Sequence, residues 1–222
     1  MMWKGKKLSI LGDSISTYRG VSNDTAARQD IGENPFRYQL PFPLEKTYWQ
    51  RVMTHFGMEL CVNNSWSGGN LTGYHNPSSG MNRARCLAKD DGTTPDLVIL
   101  FMGINDLGRG VDVKLFFADY LHTLQSIRQC YPEAQICCIN LPDRDPRLKM
   151  RATAFNESIS DAAAKMGEGV LIADLFGSKL NNDFYYDNTT DGLHPDEDGM
   201  RYIAEVVIDA LREQTTKKEN RP

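Results

Sequence analysis

Leu97-Val98-Ile99-Leu100-Phe101-Met102 is apolar at every position and runs straight into Gly103-Ile104-Asn105-Asp106. An apolar run without alternation, ended by a glycine and polar residues, describes a strand covered on both faces, and such strands belong to parallel sheets. Shorter runs of the same kind lie on either side of it: Leu8-Ser9-Ile10-Leu11, Leu60-Cys61-Val62, Ile136-Cys137-Cys138-Ile139 and Val170-Leu171-Ile172-Ala173. Between them apolar residues return at helical spacing. Phe116, Tyr120, Leu124 and Ile127 make one stripe, stopped by Pro132, and Leu148, Ala152, Phe155, Ile159 and Met166 make a second. Met200, Ile203, Val207 and Leu211 make a third, with Asp196, Glu197 and Asp198 placing negative charge at its N-terminal end. Strands alternating with helices predict an α/β fold, a doubly wound parallel sheet of five strands with helices on both faces.

A length of 222 residues suits one domain with a sizeable core. Residues 1–212 are read as that domain and residues 213–222 as a polar, disordered C-terminal tail. A net charge of -4 argues against nucleic acid as a partner, because phosphate binding needs a concentrated basic surface. The basic residues that do cluster, Lys217, Lys218 and Arg221, fall in the tail. No apolar run is long enough to span a bilayer, and the run after the basic residues Met1–Lys7 is too short for a signal peptide. A soluble, cytoplasmic protein is expected. Cys61, Cys137 and Cys138 fall in strands, while Cys86 and Cys130 look helical; all read as reduced, structural thiols. His55, His75, His122 and His194 show no zinc-ligand spacing, and no metal or organic cofactor is called for. Two stretches break the rhythm. Tyr18 to Lys46 is a long loop with aromatics, and Ser65 to Asn82 is dense in Gly, Asn and Ser.

Ligands of an open parallel sheet sit outside the carboxyl ends of its strands, so the polar residues that follow each strand are the ones to inspect. Gly12-Asp13-Ser14 follows the first, Asn63-Asn64-Ser65-Trp66-Ser67-Gly68-Gly69-Asn70 the second, and Gly103-Ile104-Asn105-Asp106 the third; Asp191-Gly192-Leu193-His194 precedes the last helix. A serine hydroxyl becomes a nucleophile only when a base takes its proton, and histidine is the base suited to neutral pH. A carboxylate near the imidazole fixes its tautomer and steadies the imidazolium. Backbone N–H groups at a glycine turn and an Asn amide can hold the oxyanion of a tetrahedral intermediate.

These blocks, in this order, resemble those of the SGNH hydrolases, the GDSL-type esterases and lipases, over nearly the whole chain from Leu8 to about Leu211. The resemblance implies a three-layer, flavodoxin-like fold with Ser14 as nucleophile, His194 as base and Asp191 as its orienting carboxylate. It implies an oxyanion hole made of the Ser14 and Gly68 N–H groups and the Asn105 side chain, with Gly69 the neighbouring alternative to Gly68. The G-x-S-x-G elbow of ordinary α/β-hydrolases is missing, since Ile15 and Ser16 follow Ser14. The substrate implied is a carboxylic ester of a small molecule, carbohydrate or lipid. Polar and aromatic loops tilt the reading towards short acyl groups, including acetylated sugars, and an acyltransferase would use the same residues. A non-catalytic ligand-binding module is the rival, against which the intact Ser14, Asp191 and His194 speak.

Each residue also has a blander role. Ser14 could cap a helix, and Asp191-Gly192 could be a plain turn. Asp13 reads as a turn or hydrogen-bonding residue without a step in the chemistry. Asp106 reads as satisfying backbone groups at the strand end or capping the following helix. Trp66, His75 and Tyr18 are candidates for a substrate wall, and Asp187 is a spare carboxylate near the Asp191 pair.

Overall fold

The structure is a computed structural model of the chain, and it describes residues 2–22, 40–142, 149–176 and 187–219. The order of elements is β1 (Lys7–Gly12), α1 (Tyr48–Phe56), β2 (Glu59–Ser65), α2 (Gly80–Arg83), β3 (Leu97–Phe101) and α3 (Ile104–Arg109). They are followed by α4 (Val113–Cys130), β4 (Gln135–Ile139), α5 (Lys149–Met166), β5 (Val170–Ala173) and α6 (Glu197–Glu219). The strands form one sheet in the order β2-β1-β3-β4-β5, and every neighbouring pair is parallel. The chain therefore winds outward from β1 to β2, returns to the other side of β1, and continues through β3 and β4 to β5. Right-handed crossovers run in those two directions put helices on opposite faces, and α1 indeed packs with α6 while α4 packs with α5. Among the described residues no helix is long and apolar enough to cross a membrane.

Apolar patterning accounts for this packing. Leu97, Val98, Ile99 and Leu100 are fully buried in the middle of the sheet. So are the helical stripes Phe116, Tyr120, Leu124 and Ile127 of α4, Phe155 and Ile159 of α5, and Met200, Ile203, Val207 and Leu211 of α6. Phe116 and Phe155 stack with ring centroids 4.3 Å apart, joining α4 to α5. Asp196 caps α6, its Oδ1 accepting the N–H groups of Asp198 and Gly199 at 3.0 and 2.9 Å.

The structure departs from the sequence reading in a few places. β2 continues through Asn63, Asn64 and Ser65, which were expected beyond the strand. These polar residues stay in the sheet because their side chains find buried partners: Asn63 Nδ2 donates to Ser16 O at 2.9 Å, Asn64 Nδ2 to Cys86 O at 2.9 Å, and Ser65 Oγ to Asn63 Oδ1 at 2.6 Å. Cys86 lies in the connection after α2 rather than on a helix. α6 runs on to Glu219 through residues read as a disordered tail; Gln214 there donates to Gln135 Oε1 at 2.6 Å, and Thr215 bonds back to Leu211 O. Leu148 and most of the loop after Tyr18 lie outside the described residues.

Leu100 sits in β3 with no exposure, so Leu100→Ala should lower unfolding stability by roughly 2–5 kcal/mol through lost burial and the cavity left behind. Chemical denaturation would measure this, and a loss well under about 1 kcal/mol would contradict the central place given to β3.

Candidate active site

β1 and β3 are the neighbours at which the winding reverses, and the crevice at their carboxyl ends is where this topology leaves room for a ligand. Beyond Gly12 the chain turns sharply. Ser16 N–H donates to Asp13 O at 3.0 Å, Ile15 N–H to Asp13 Oδ1 at 3.0 Å, and the Thr17 hydroxyl to Ser14 O at 3.0 Å. The turn folds back so closely that a Cβ at Gly12 would lie 2.5 Å from the Ser16 side chain and 2.8 Å from Ser65 Oγ, so only glycine fits. Ser14 is thereby presented at the strand end with just 4% of its surface exposed.

The segment before α6 forms a second tight turn. Asp191 Oδ1 accepts the N–H groups of Leu193 at 3.0 Å and His194 at 2.8 Å, while Thr190 N–H donates to His194 O at 2.8 Å. With one oxygen committed to the backbone, Asp191 Oδ2 is free to meet His194 Nδ1 at 2.7 Å. The other ring nitrogen, Nε2, lies 2.9 Å from Ser14 Oγ. Burial resists ionisation of Asp191, but the hydrogen bonds and charge of His194 and the Leu193 N–H outweigh it and hold the carboxyl below its usual range. An ionised Asp191 requires the hydrogen on Nδ1, which leaves the Nε2 lone pair directed at the serine hydroxyl. The imidazole can then take the hydroxyl proton as oxygen attacks a carbonyl. Asp187, the spare carboxylate, is exposed, and Nδ1 is already taken by Asp191.

The N–H groups of Ser14 and Gly68 have no acceptor among the described residues, whereas Gly69 N–H is engaged with Trp66 O at 2.9 Å. Gly68 forms the turn with a φ of 70°. Asn105 Nδ2 donates to Gly69 O at 3.0 Å and faces Asp13 Oδ2 at 3.5 Å. Ser14, Gly68, Asn105, Asp191 and His194 are thus brought to one crevice from separate parts of the chain.

Trp66 is buried, with its N–H on Gly12 O at 3.2 Å and its carbonyl in the Gly69 turn, so it holds the loop against β1. Tyr18 is half-buried, packs against the core and shares backbone bonds with Ser22. His75 is exposed, with its ring edge-on to Tyr74 at 5.4 Å. None of these three candidate wall residues is hydrogen-bonded to Ser14 among the described residues.

Supporting residues surround the site; the sequence reading missed Arg83 and Arg109, and had Asp106 as satisfying backbone groups or capping the next helix. Asp106 is fully buried and accepts Leu71 N–H at 2.8 Å, Thr72 N–H at 3.0 Å and the Thr72 hydroxyl at 2.7 Å; it anchors the loop after Gly68 rather than capping α3. Arg109 clamps Gly68 O at 2.9 Å and also bonds Asn70 Oδ1. Arg83, fully buried, donates to Ser78 O at 2.8 Å, Gly12 O at 3.1 Å and Asn64 O, tying the ends of β1 and β2 to the glycine loop. An arginine in a polar stretch reads as solvated, and only the convergence of carbonyls from distant segments makes this one interior. Burial pushes the Asp13 carboxyl up to about 7, with Asp106 adding to the effect and the Ile15 N–H and Arg83 working against it. Among the described residues no cluster of His, Cys, Asp and Glu could hold a metal ion.

The sheet order and the Ser–His–Asp contacts define a chain built like a serine hydrolase. The chain belongs to the GDSL-like Lipase/Acylhydrolase family, whose sequence profile it matches over residues 10–202, and it is accordingly a carboxylic ester hydrolase. Solved structures agree on the fold. A protein assigned as a GDSL-like lipase from Bacteroides uniformis is 26% identical, with a TM-score of 0.70, covering 94% of this chain and 96% of that one. A carbohydrate esterase family 2 enzyme with a carbohydrate-binding domain, from Corynascus thermopiles, is 18% identical with a TM-score of 0.69, covering 96% of this chain and 68% of that one. The psychrotrophic esterase EstA of Pseudoalteromonas sp. is 17% identical with a TM-score of 0.59, covering 95% and 99%. No curated protein sequence matches.

Asp13 gives a test of the buried electrostatics. Its carboxyl has an ordinary value of 3.8 when unfolded and about 7 when folded, so the folded chain keeps a proton that the unfolded chain has lost in between. The stability this contributes is complete below the unfolded value and drains away as pH rises towards the folded one, by about 4 kcal/mol in all. The stability of wild type minus that of Asp13→Asn, measured by urea unfolding, should fall by that order across this window. A flat difference would mean that Asp13 is ionised throughout in the folded chain.

Proposed function

We propose that this protein is a serine esterase that hydrolyses short acyl esters, acetylated carbohydrates foremost, by a two-step acyl transfer to water. The observation that carries the reading is the unbroken relay from Ser14 Oγ to His194 Nε2 at 2.9 Å and from His194 Nδ1 to Asp191 Oδ2 at 2.7 Å. Ser14 Oγ attacks the ester carbonyl while His194 takes its proton, and Asp191 stabilises the imidazolium. The carbonyl oxygen, now negative, is held by the N–H groups of Ser14 and Gly68 and by the Asn105 amide. His194 then protonates the leaving alcohol. Water, deprotonated by His194, releases the acid and restores Ser14.

The preference for short, polar esters rests on the crevice's surroundings. The glycine loop carries the polar Asn70 and Thr72 to this edge of the sheet, and Arg109 of α3 bonds Asn70 Oδ1 there. The carbohydrate esterase from Corynascus, which shares the fold, supports the same direction.

Ser14→Ala should abolish ester hydrolysis and labelling by a serine-directed phosphonate while its circular dichroism and melting stay as in wild type. Loss of one oxyanion donor in Asn105→Ala should lower kcat on the order of a hundredfold. A panel of aryl esters of increasing chain length, run beside acetylated sugars, tests the substrate class. Turnover that rises with chain length would overturn the short-acyl assignment, and full activity in the Ser14 variant would overturn the mechanism.

A further inference from the structure

We propose that Asp13 is a positioning residue of the oxyanion hole, using one buried carboxyl to join the turn that presents the Ser14 N–H to the Asn105 amide. The inference rests on the roles given above to Ser14, Gly68 and Asn105. Asp13 is not needed for the relay, since Asp191 already occupies the outer nitrogen of His194. Nor is a carboxyl needed for the turn, where a neutral acceptor would serve. Yet a carboxyl stands there with 1% exposure, in a place where burial penalises charge.

Its two oxygens divide the work. Oδ1 accepts the Ile15 N–H at 3.0 Å and so holds the peptide planes around Ser14. Oδ2 faces Asn105 Nδ2 at 3.5 Å, while the same Nδ2 donates to Gly69 O at 3.0 Å. Asn105 is thereby held between the glycine loop on one side and the serine turn on the other. The 3.5 Å separation is long for a hydrogen bond to an ionised carboxylate, usually about 2.7–2.9 Å, so the amide is steadied without being captured. The hydrogen on the Asp13 side is held loosely enough to turn to a substrate oxygen.

The carboxyl's charge state decides whether this arrangement helps. The groups that act on it are Arg83 from α2 and Asp106 from α3; Tyr48 of α1 lies behind Ser16, and His194 lies across Ser14. Ionised, Asp13 would set a negative charge against the very amide that must receive the negative oxygen of the tetrahedral intermediate. Protonated, it keeps the same geometry without that repulsion. The site is therefore built to work with Asp13 neutral, and turnover weakens as the carboxyl ionises near its folded value of about 7.

The test is the pH dependence of kcat and KM on an aryl acetate from about pH 6 to about pH 9, for wild type and Asp13→Asn, each normalised by phosphonate labelling of Ser14. Wild-type kcat should fall roughly tenfold on the alkaline side of neutrality, with KM little changed. Asp13→Asn should lose that fall, and should show a several-fold lower kcat near pH 6, because an amide offers one acceptor oxygen where two are used. Identical profiles and identical kcat in the two proteins would overturn the proposal. If the variant does not fold, the wild-type profile alone decides: a kcat that holds level to the alkaline end overturns it. Failure of the underlying reading looks different, because wild type would then neither take the phosphonate nor turn over the ester.

Discussion

The contact between His194 Nε2 and Ser14 Oγ joins residues 180 positions apart in the chain. Neither residue can reach the other through local structure. Ser14 ends the turn after β1, near the start of the chain, and His194 ends the turn before α6, near its finish. What brings them together is the parallel sheet, which sends every strand's carboxyl end to one edge and so collects the turns that follow. The local turns then do the fine placement. Asp191 spends one oxygen on its own backbone and the other on the imidazole, so a single carboxylate sets both the fold of its loop and the tautomer of its neighbour. The reach of the hydroxyl is set independently, by the absence of a side chain at Gly12.

Beneath the crevice lies a group of buried polar side chains that no apolar core would demand. Asp106 holds the loop after Gly68 through three hydrogen bonds, Arg83 gathers carbonyls from β1, β2 and the glycine loop, and Asp13 stands between them with its proton held by burial. Breaking any one of these would leave stranded polar atoms in the interior, which costs far more than the bond itself contributes. The loop after Gly68 is thus held from beneath by buried partners, Asp106 and Arg83, and from outside by Arg109.

The fold was largely legible in the sequence because burial on both faces leaves an unmistakable trace: unbroken apolar runs such as 97–102 and helical stripes such as Phe116, Tyr120, Leu124 and Ile127. β2 was less so. Its polar end, Asn63-Asn64-Ser65, reads as loop because alternation and hydropathy cannot register side chains that are satisfied by distant backbone. The polar end of α6 misled for a related reason, since a helix that extends past its apolar stripe looks like a tail. At the site, the positions of Ser14, Asn105, Asp191 and His194 could be read from their place after strands, and the structure brings them within hydrogen-bonding reach of one another or of shared neighbours. Arg83, Arg109 and the buried state of Asp13 could not be read. Their roles arise from carbonyls and charges contributed by segments far away in sequence, and nothing local marks them.

The central claim is that Ser14 carries the acyl group between the two halves of the reaction, and the most direct measurement is to catch it there. Wild-type protein mixed with excess aryl acetate, quenched in acid during turnover and digested, should yield by mass spectrometry a peptide acetylated on Ser14, and the adduct should disappear once substrate is exhausted. Acetyl found consistently on another residue, or steady turnover with no adduct on Ser14 under conditions where deacylation is slowed, would contradict the account.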